Sequence, residues 1–255
     1  MSQVSRFLAP IVLIALILAA WEGACRLMQV PAYFLPSPSA IARAALDNWP
    51  LLLGSAWNTL SMALVALVLA SAIANVLALL VAPNPVMESA VRPIAVALQV
   101  TPVVAIAPQA VIWAGLDHPE RAVVALAVVV AFFPIYSGAL AGLKVVDPDL
   151  MRLFDLYGAG RVQRLVRLRI PSAVPYLLQG HKVAAGLAIV GAVVAEFVAG
   201  SGSVRGLAWQ ILDAGNKLQT ARMIAALVVL GVMGVALHQA LEALERAALK
   251  WWRGR

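Results

Sequence analysis

The chain has 255 residues, 63% of them hydrophobic and 12% charged, with a mean hydropathy of +0.91. A soluble domain carries roughly 45–50% apolar and about 25% charged residues, and no soluble fold of this size buries so much apolar surface. The solvent for most of the chain is therefore lipid. The net charge of +7 does not signal nucleic acid, because the basic residues cluster between apolar runs. The single cysteine, Cys25, excludes an intrachain disulfide and a cysteine metal cluster.

At roughly 20 residues per crossing, the length accommodates about six spans in one polytopic domain. Residues 7–27 form the first apolar run, with Arg6 before it and Glu22 near its far end. A cleaved signal peptide is the competing reading, disfavoured by the run's length and by the spans that follow. The proline-rich stretch 31–38 reads as an ordered loop, and 39–48 as a short interfacial helix starting at a Ser39 cap. A second span covers about 51–81, long enough to tilt or to begin at the interface, and Pro83-Asn84-Pro85 ends it. The third covers about 94–113 with Pro102 and Pro108 inside, and the fourth about 122–140 with Pro134 inside. A charged stretch, 144–182, separates these from a fifth span at about 183–199 and a sixth at about 221–241.

With the amino terminus in the cytoplasm, cytoplasmic segments hold 13 of the 19 Lys and Arg residues and outer segments hold 6. The positive-inside bias thus places both termini inside, together with the 144–182 loop and the basic tail Lys250-Trp251-Trp252-Arg253, which Arg255 closes.

That loop is the most informative stretch. Asp147-Pro148-Asp149 is a helix-start signal. Leu150, Leu153, Phe154 and Tyr157 then recur at helical spacing, and Gly158 stands where a helix can end in a left-handed cap. Residues 161–169 alternate Arg with Leu and Val, and Ile170-Pro171 is expected to end this second segment. The loop reads as two short amphipathic helices joined at Gly158-Ala159-Gly160, a unit suited to the membrane surface or to a partner's groove. On pattern alone, a basic loop serving only orientation explains it equally well.

Gly158 and Pro171, with a helix on either side of the glycine, resemble the coupling loop of binding-protein-dependent ABC importer permeases. Their pattern runs Glu-Ala-Ala, three residues, glycine, about nine residues, then Ile-x-Leu-Pro. Here Arg152-Leu153-Phe154 occupies the Glu-Ala-Ala place, and Arg169-Ile170 precedes the proline. Phe34-Leu35-Pro36-Ser37-Pro38 is similar to an element of the sulfonate, taurine, nitrate and pyrimidine-precursor branch. So is Val194-Ala195-Glu196-Phe197, and Ser201 to Leu207 stands where relatives have a shorter glycine-rich turn. The resemblance covers about 34–245 and implies an all-α type I permease fold in a bacterial inner membrane. It also implies two copies enclosing a pathway, two ATP-binding subunits beneath them and an external substrate-binding protein. The ATPase-coupling surface would then comprise Leu150, Arg152, Leu153, Phe154, Tyr157, Gly158, Ala159, Arg161 and Pro171. ATP and Mg would belong to the partner, and this chain contains no G-x-x-x-x-G-K-[ST] phosphate loop.

Polar residues inside spans are pathway candidates: Asn75 with Asn58 in the second, Gln99, Thr101 and Gln109 in the third, and Glu196 late in the fifth. The amides and Thr101 can equally bond helix to helix, and Glu196 can pair or reach headgroups. Pro102, Pro108 and Pro134 mark either broken helices at the pathway or tolerated kinks. Gly186, Gly191 and Ala195, and Gly231 with Gly234, are expected to allow close helix packing. His118, His181 and His238 have no metal-ligand spacing. No catalytic constellation marks an enzyme, so the alternative function is a stand-alone secondary transporter or channel.

Overall fold

The computed structural model describes residues 3–115, 117–199 and 205–253, all of them in helices or the turns between helices. Ser201 to Val204 and Arg255, noted above in a turn and in the basic tail, lie outside the described residues. The elements are α1 (Gln3–Leu27), α2 (Pro38–Asp47), α3 (Trp49–Val81), α4 (Pro85–Val100), α5 (Val103–Ala114) and α6 (Pro119–Lys144). Then follow α7 (Pro148–Leu156), α8 (Arg161–Arg164), a π turn (Leu165–Arg169), α9 (Ile170–Ala199), α10 (Leu207–Asn216) and α11 (Thr220–Arg253).

Among the described residues, four rods are long and apolar enough to cross a membrane: Trp49–Val81, Pro119–Lys144, Arg161–Ala199 and Thr220–Lys250. The α4–α5 pair passes the same test together, as a broken span or a re-entrant loop, and α1 is a 25-residue helix whose stretch from Ile11 to Leu18 is exposed and apolar. The third span is thus not the single helix expected at 94–113. The chain turns by 97° between α4 and α5. Pro102 is the cause. A residue before proline is pushed out of the helical region, and Thr101 sits at ψ 123° as the cap of α4. By contrast, Pro108 and Pro134 lie inside continuous helices.

The chain forms two compact units: Met1–Trp57 with Arg205–Val232, and Asn58–Val204 with Met233–Arg255. In the first, Ser37 rather than Ser39 caps α2, its Oγ accepting from Ala40 N–H at 3.4 Å. Ser39 faces Glu22 instead. Its N–H donates to Glu22 Oε2 at 2.9 Å and its hydroxyl to Oε1 at 2.8 Å. Arg26 donates to the same carboxylate at 2.7 Å. Thr220 Oγ1 donates to the Tyr33 carbonyl at 2.7 Å, so the loop before α2 is tied to the start of α11.

The second unit is built on small residues. Ala63, Ala66, Ala70, Ala74 and Ala78 form the buried stripe of α3, while Val65, Val68, Leu69, Ile73, Val76 and Leu80 are exposed. Large side chains outward and small ones inward is the reverse of a soluble helix. It suits lipid, which offers no hydrophobic gain for burying a leucine but lets close backbones gain dispersion contacts. The same rule governs α6 and α9. A Cβ on Gly180 would stand 2.7 Å from the Pro134 carbonyl oxygen, and one on Gly138 would stand 2.8 Å from that of Tyr176. On Gly142 it would be 2.9 Å from Ala173 Cα, and on Gly191 2.9 Å from Ala127 Cα. The paired positions run in opposite directions, so the two helices are antiparallel. Gly191 and Ala195 pack as expected, but Gly186, Gly231 and Gly234 have no such neighbours, and Gly138, Gly142 and Gly180 take that role. At the coupling-loop end, Lys144 pairs with Glu88, tying α6 to the start of α4, and Lys182 pairs with Glu245 at 2.9 Å, tying α9 to α11.

The expected stop at Ile170-Pro171 is absent: residues 161–199 form one continuous rod. The π turn just before Pro171 explains it. Ile170 N–H reaches back five residues to the Leu165 carbonyl. The widened turn makes room where a proline ring would otherwise strike the backbone of the preceding turn.

Substituting Gly180→Leu should lower the thermal midpoint of the purified protein, since overpacking a tight contact costs about 1–3 kcal/mol. Gly231→Ala, which meets no neighbour within 4 Å, should leave it unchanged. Equal midpoints for the two variants, read by fluorescence-detected size exclusion after heating, would refute the close α6–α9 contact.

Candidate functional site

The helix–glycine–helix unit forms as its sequence suggests. Asp147 accepts from Asp149 N–H at 2.8 Å, and Pro148 opens α7. Gly158 has φ +65°, the left-handed conformation that favours glycine. Around it, Gly158 N–H donates to the Asp155 carbonyl and Ala159 N–H to that of Phe154, both at 3.0 Å. This pair of bonds is a Schellman cap. Gly160 N–H donates to Gln163 Oε1 at 3.0 Å, capping α8. Arg164 then ties the halves: its Nε donates to the Ala159 carbonyl at 2.9 Å, and its guanidinium pairs with Asp155.

On this braced frame sits apolar surface with no cover. Leu156 is 85% exposed and Tyr157 83%, and Leu150, Leu153 and Val162 are also exposed. Arg152 bonds Asp149 at 3.0 Å in open solvent, Arg161 is exposed, and Phe154, Ala159 and Pro171 are half-buried. Leu156 and Val162 extend the surface beyond the residues picked from the sequence.

The pathway candidates do not converge. Gln99 lines a cleft of about 570 Å³ with residues of α5, α6 and α9, including Phe133, Pro134, Ser137, Tyr176 and Gln179. Thr101 lies at the α4–α5 bend and bonds within its own helix, its hydroxyl donating to the Ala97 carbonyl at 2.7 Å. Gln109 is exposed on α5 and does not line the cleft. Asn75 belongs to a chain of bonds between α3 and α9. Its Nδ2 donates to Ser71 Oγ at 3.1 Å and to the Ser71 carbonyl at 2.8 Å. Ser71 Oγ meets His181 Nε2 at 2.7 Å, and His181 Nδ1 meets the Leu177 carbonyl at 2.7 Å. A carbonyl only accepts, so Nδ1 carries the proton, and on the uncharged ring Nε2 accepts from the serine. Glu196 is 1% exposed, and Thr59 Oγ1 donates to its Oε1 at 2.7 Å. It does not reach headgroups; it helps tie α9 to α3.

Sequence reasoning missed Ser137, Tyr176, Gln179, Ser71 and the bonding role of His181. Three of these fall within the stretch assigned to the loop, and the available signal was Gln179-Gly180-His181 directly before an unbroken apolar run. It also missed α10. There Gln210 is buried, donating to Ser55 Oγ at 3.1 Å, while Arg222 pairs with Asp213 at 3.3 Å and Lys217 with Asp213 at 2.8 Å. The hydrogen bond and charge of Lys217, joined by Arg222, hold the Asp213 carboxyl below its ordinary value of 3.8.

Long apolar helices with small-residue packing, a broken helix beside a polar cleft and a braced, exposed apolar turn are the features of a multi-helix membrane protein. The model of the binding-protein-dependent transport system inner membrane component matches residues 74–250, and the chain belongs to that family. It is a multi-pass permease subunit of an ABC importer in the bacterial inner membrane, a transport component rather than an enzyme. Members of the family work with a separate ATPase subunit and a substrate-binding protein. The chain is 31% identical to the formylaminopyrimidine transport permease protein ThiX of Halalkalibacterium halodurans, over 96% of each chain. It is 33% identical to the riboflavin transport system permease protein RibX of Chloroflexus aurantiacus, over 94% of this chain and 88% of that one. It is 27% identical to the taurine transport system permease protein TauC of Escherichia coli, over 93% and 87%.

Because the folded Asp213 carboxyl titrates below its unfolded value, its stabilisation is complete above that value and is lost as pH falls through the lower folded one. Thermal midpoints should therefore show no Asp213-dependent change between pH 7 and pH 5 and should fall below about pH 4. Asp213→Asn should abolish that acid-side component, which a comparison of the two pH series measures.

Proposed function

We propose that two copies of this chain enclose the translocation pathway, each acting as one permease domain with both termini in the cytoplasm. Two ATP-binding subunits, which hold the ATP and Mg, dock against Leu150, Arg152, Leu153, Phe154, Tyr157, Gly158, Ala159, Arg161 and Pro171. An extracytoplasmic binding protein delivers a small solute of the sulfonate, taurine, nitrate or pyrimidine-precursor kind. The observation that carries this reading is the uncovered apolar turn on a frame braced by Arg164. Exposed leucine and tyrosine on a rigid support suit a partner groove, where burying each adds about 1.5–3 kcal/mol.

Motion of the ATPase then reaches the spans through α8, the π turn and α9 as one body, a rigid-body switch between inward- and outward-open states. Among the pathway candidates, Gln99 has the best position, lining the cleft beside the α4–α5 break. Thr101 stands at the break itself and Gln109 along α5. Glu196 bonds α9 to α3 through Thr59, and Asn75 bonds Ser71, which in turn meets His181 of α9, so both bear on the pathway through that packing.

Gly158→Val forces a β-branched residue into the left-handed region, at a cost of roughly 1–2 kcal/mol. It should leave ATP hydrolysis by the assembled complex measurable while reducing solute uptake at least tenfold. Leu153→Ala with Tyr157→Ala should weaken co-purification of the ATPase. Normal uptake in both variants would sink the coupling assignment.

A further inference from the structure

The cleft bounded by α4, α5, α6 and α9 has a chemistry that discriminates among the solutes named above. None of the residues lining it is charged. Its polar groups are the amides of Gln99 and Gln179 and the hydroxyls of Ser137 and Tyr176, and its walls include Phe133 and Pro134. Among the described residues, these amides and hydroxyls make no hydrogen bonds of their own, so all of them are available to a ligand. The volume of about 570 Å³ falls within the range of small-molecule sites, roughly 300–1,000 Å³.

These four polar side chains are exposed, and a sulfonate or nitrate held among them would meet no cation among the cleft's lining residues. Two amides and two hydroxyls instead match a neutral ring with donors and acceptors around its edge, since each amide both donates and accepts. The aromatic and proline surfaces supply flat apolar contact to its faces. We infer that this cleft is a binding site for an uncharged, flat nitrogen heterocycle of one to three fused rings, held at its edges by Gln99 and Gln179. The inference rests on the reading of this chain as the pathway for a small solute.

The permease–ATPase complex in lipid nanodiscs tests it, without binding protein, so that the permease's own preference is read. Equilibrium dialysis would use a formylaminopyrimidine and riboflavin as neutral heterocycles, and taurine and nitrate as the charged set. The expected result is saturable binding of at least one heterocycle and none of taurine or nitrate. Gln99→Ala with Gln179→Ala should weaken heterocycle binding at least tenfold. Gln179→Lys should weaken it similarly and introduce detectable nitrate binding, a gain that misfolding does not produce. Taurine or nitrate binding to the unaltered complex, absence of heterocycle binding, or heterocycle binding unchanged in the double variant would each overturn the assignment. Co-purification of the ATPase, measured on the same samples, reports separately on the importer reading, so the two failures are distinguishable.

Discussion

The second unit depends on one contact, the approach of α6 and α9 to backbone distance. Gly138, Gly142, Gly180 and Gly191 leave no room for a side-chain carbon between the two helices. In lipid this is the main route to a stable helix pair, because apolar side chains gain little by leaving one hydrocarbon for another. From that seam the other features take their places. The cleft opens beside it, with Pro134 and Gly180 among its lining residues. The bonds from Ser71 to His181 and from Thr59 to Glu196 then hold α3 along α9.

Much of this architecture was legible in the residues. The long apolar runs, the helix start at Asp147-Pro148 and the left-handed Gly158 each follow from local chemistry, and local chemistry survives folding. The errors share a different origin. Proline was read as a terminator at Ile170-Pro171, where the helix in fact continues; at Pro102 a broken helix and a tolerated kink were both open, and the helix breaks. A π turn, which needs only one extra backbone residue and no special side chain, absorbs Pro171. Nothing comparable precedes Pro102, so Thr101 takes up the extended conformation and the helix breaks. The assignments of Gly186, Gly231 and Gly234 failed similarly, since a glycine in a span looks the same whether it meets a neighbouring backbone, as Gly180 does, or nothing within 4 Å, as Gly231 does.

The candidate site was half legible for the same reason. The coupling turn is contiguous in the chain, and its exposed face could be read from spacing alone. The cleft is assembled from four helices, and Ser137, Tyr176 and Gln179 become polar neighbours of Gln99 only once the α6–α9 seam exists. Glu196 shows the reverse case. Pathway lining, pairing and contact with headgroups were all open to it, and the structure shows a pairing, Thr59 Oγ1 donating to a carboxylate that is 1% exposed, as a charge so deep requires.

The unbroken rod from Arg161 to Ala199 has a mechanical consequence. At 1.5 Å per residue its 39 residues extend about 58 Å, roughly twice the hydrocarbon thickness of a bilayer. On the proposed coupling it would work as a lever whose fulcrum is the glycine seam with α6. With a tilt of about 5° about that seam, which lies near its middle, each end would move by about 2.5 Å. The π turn at Leu165–Arg169 lies on the Arg161 side of that seam, and Pro175 sits within α9.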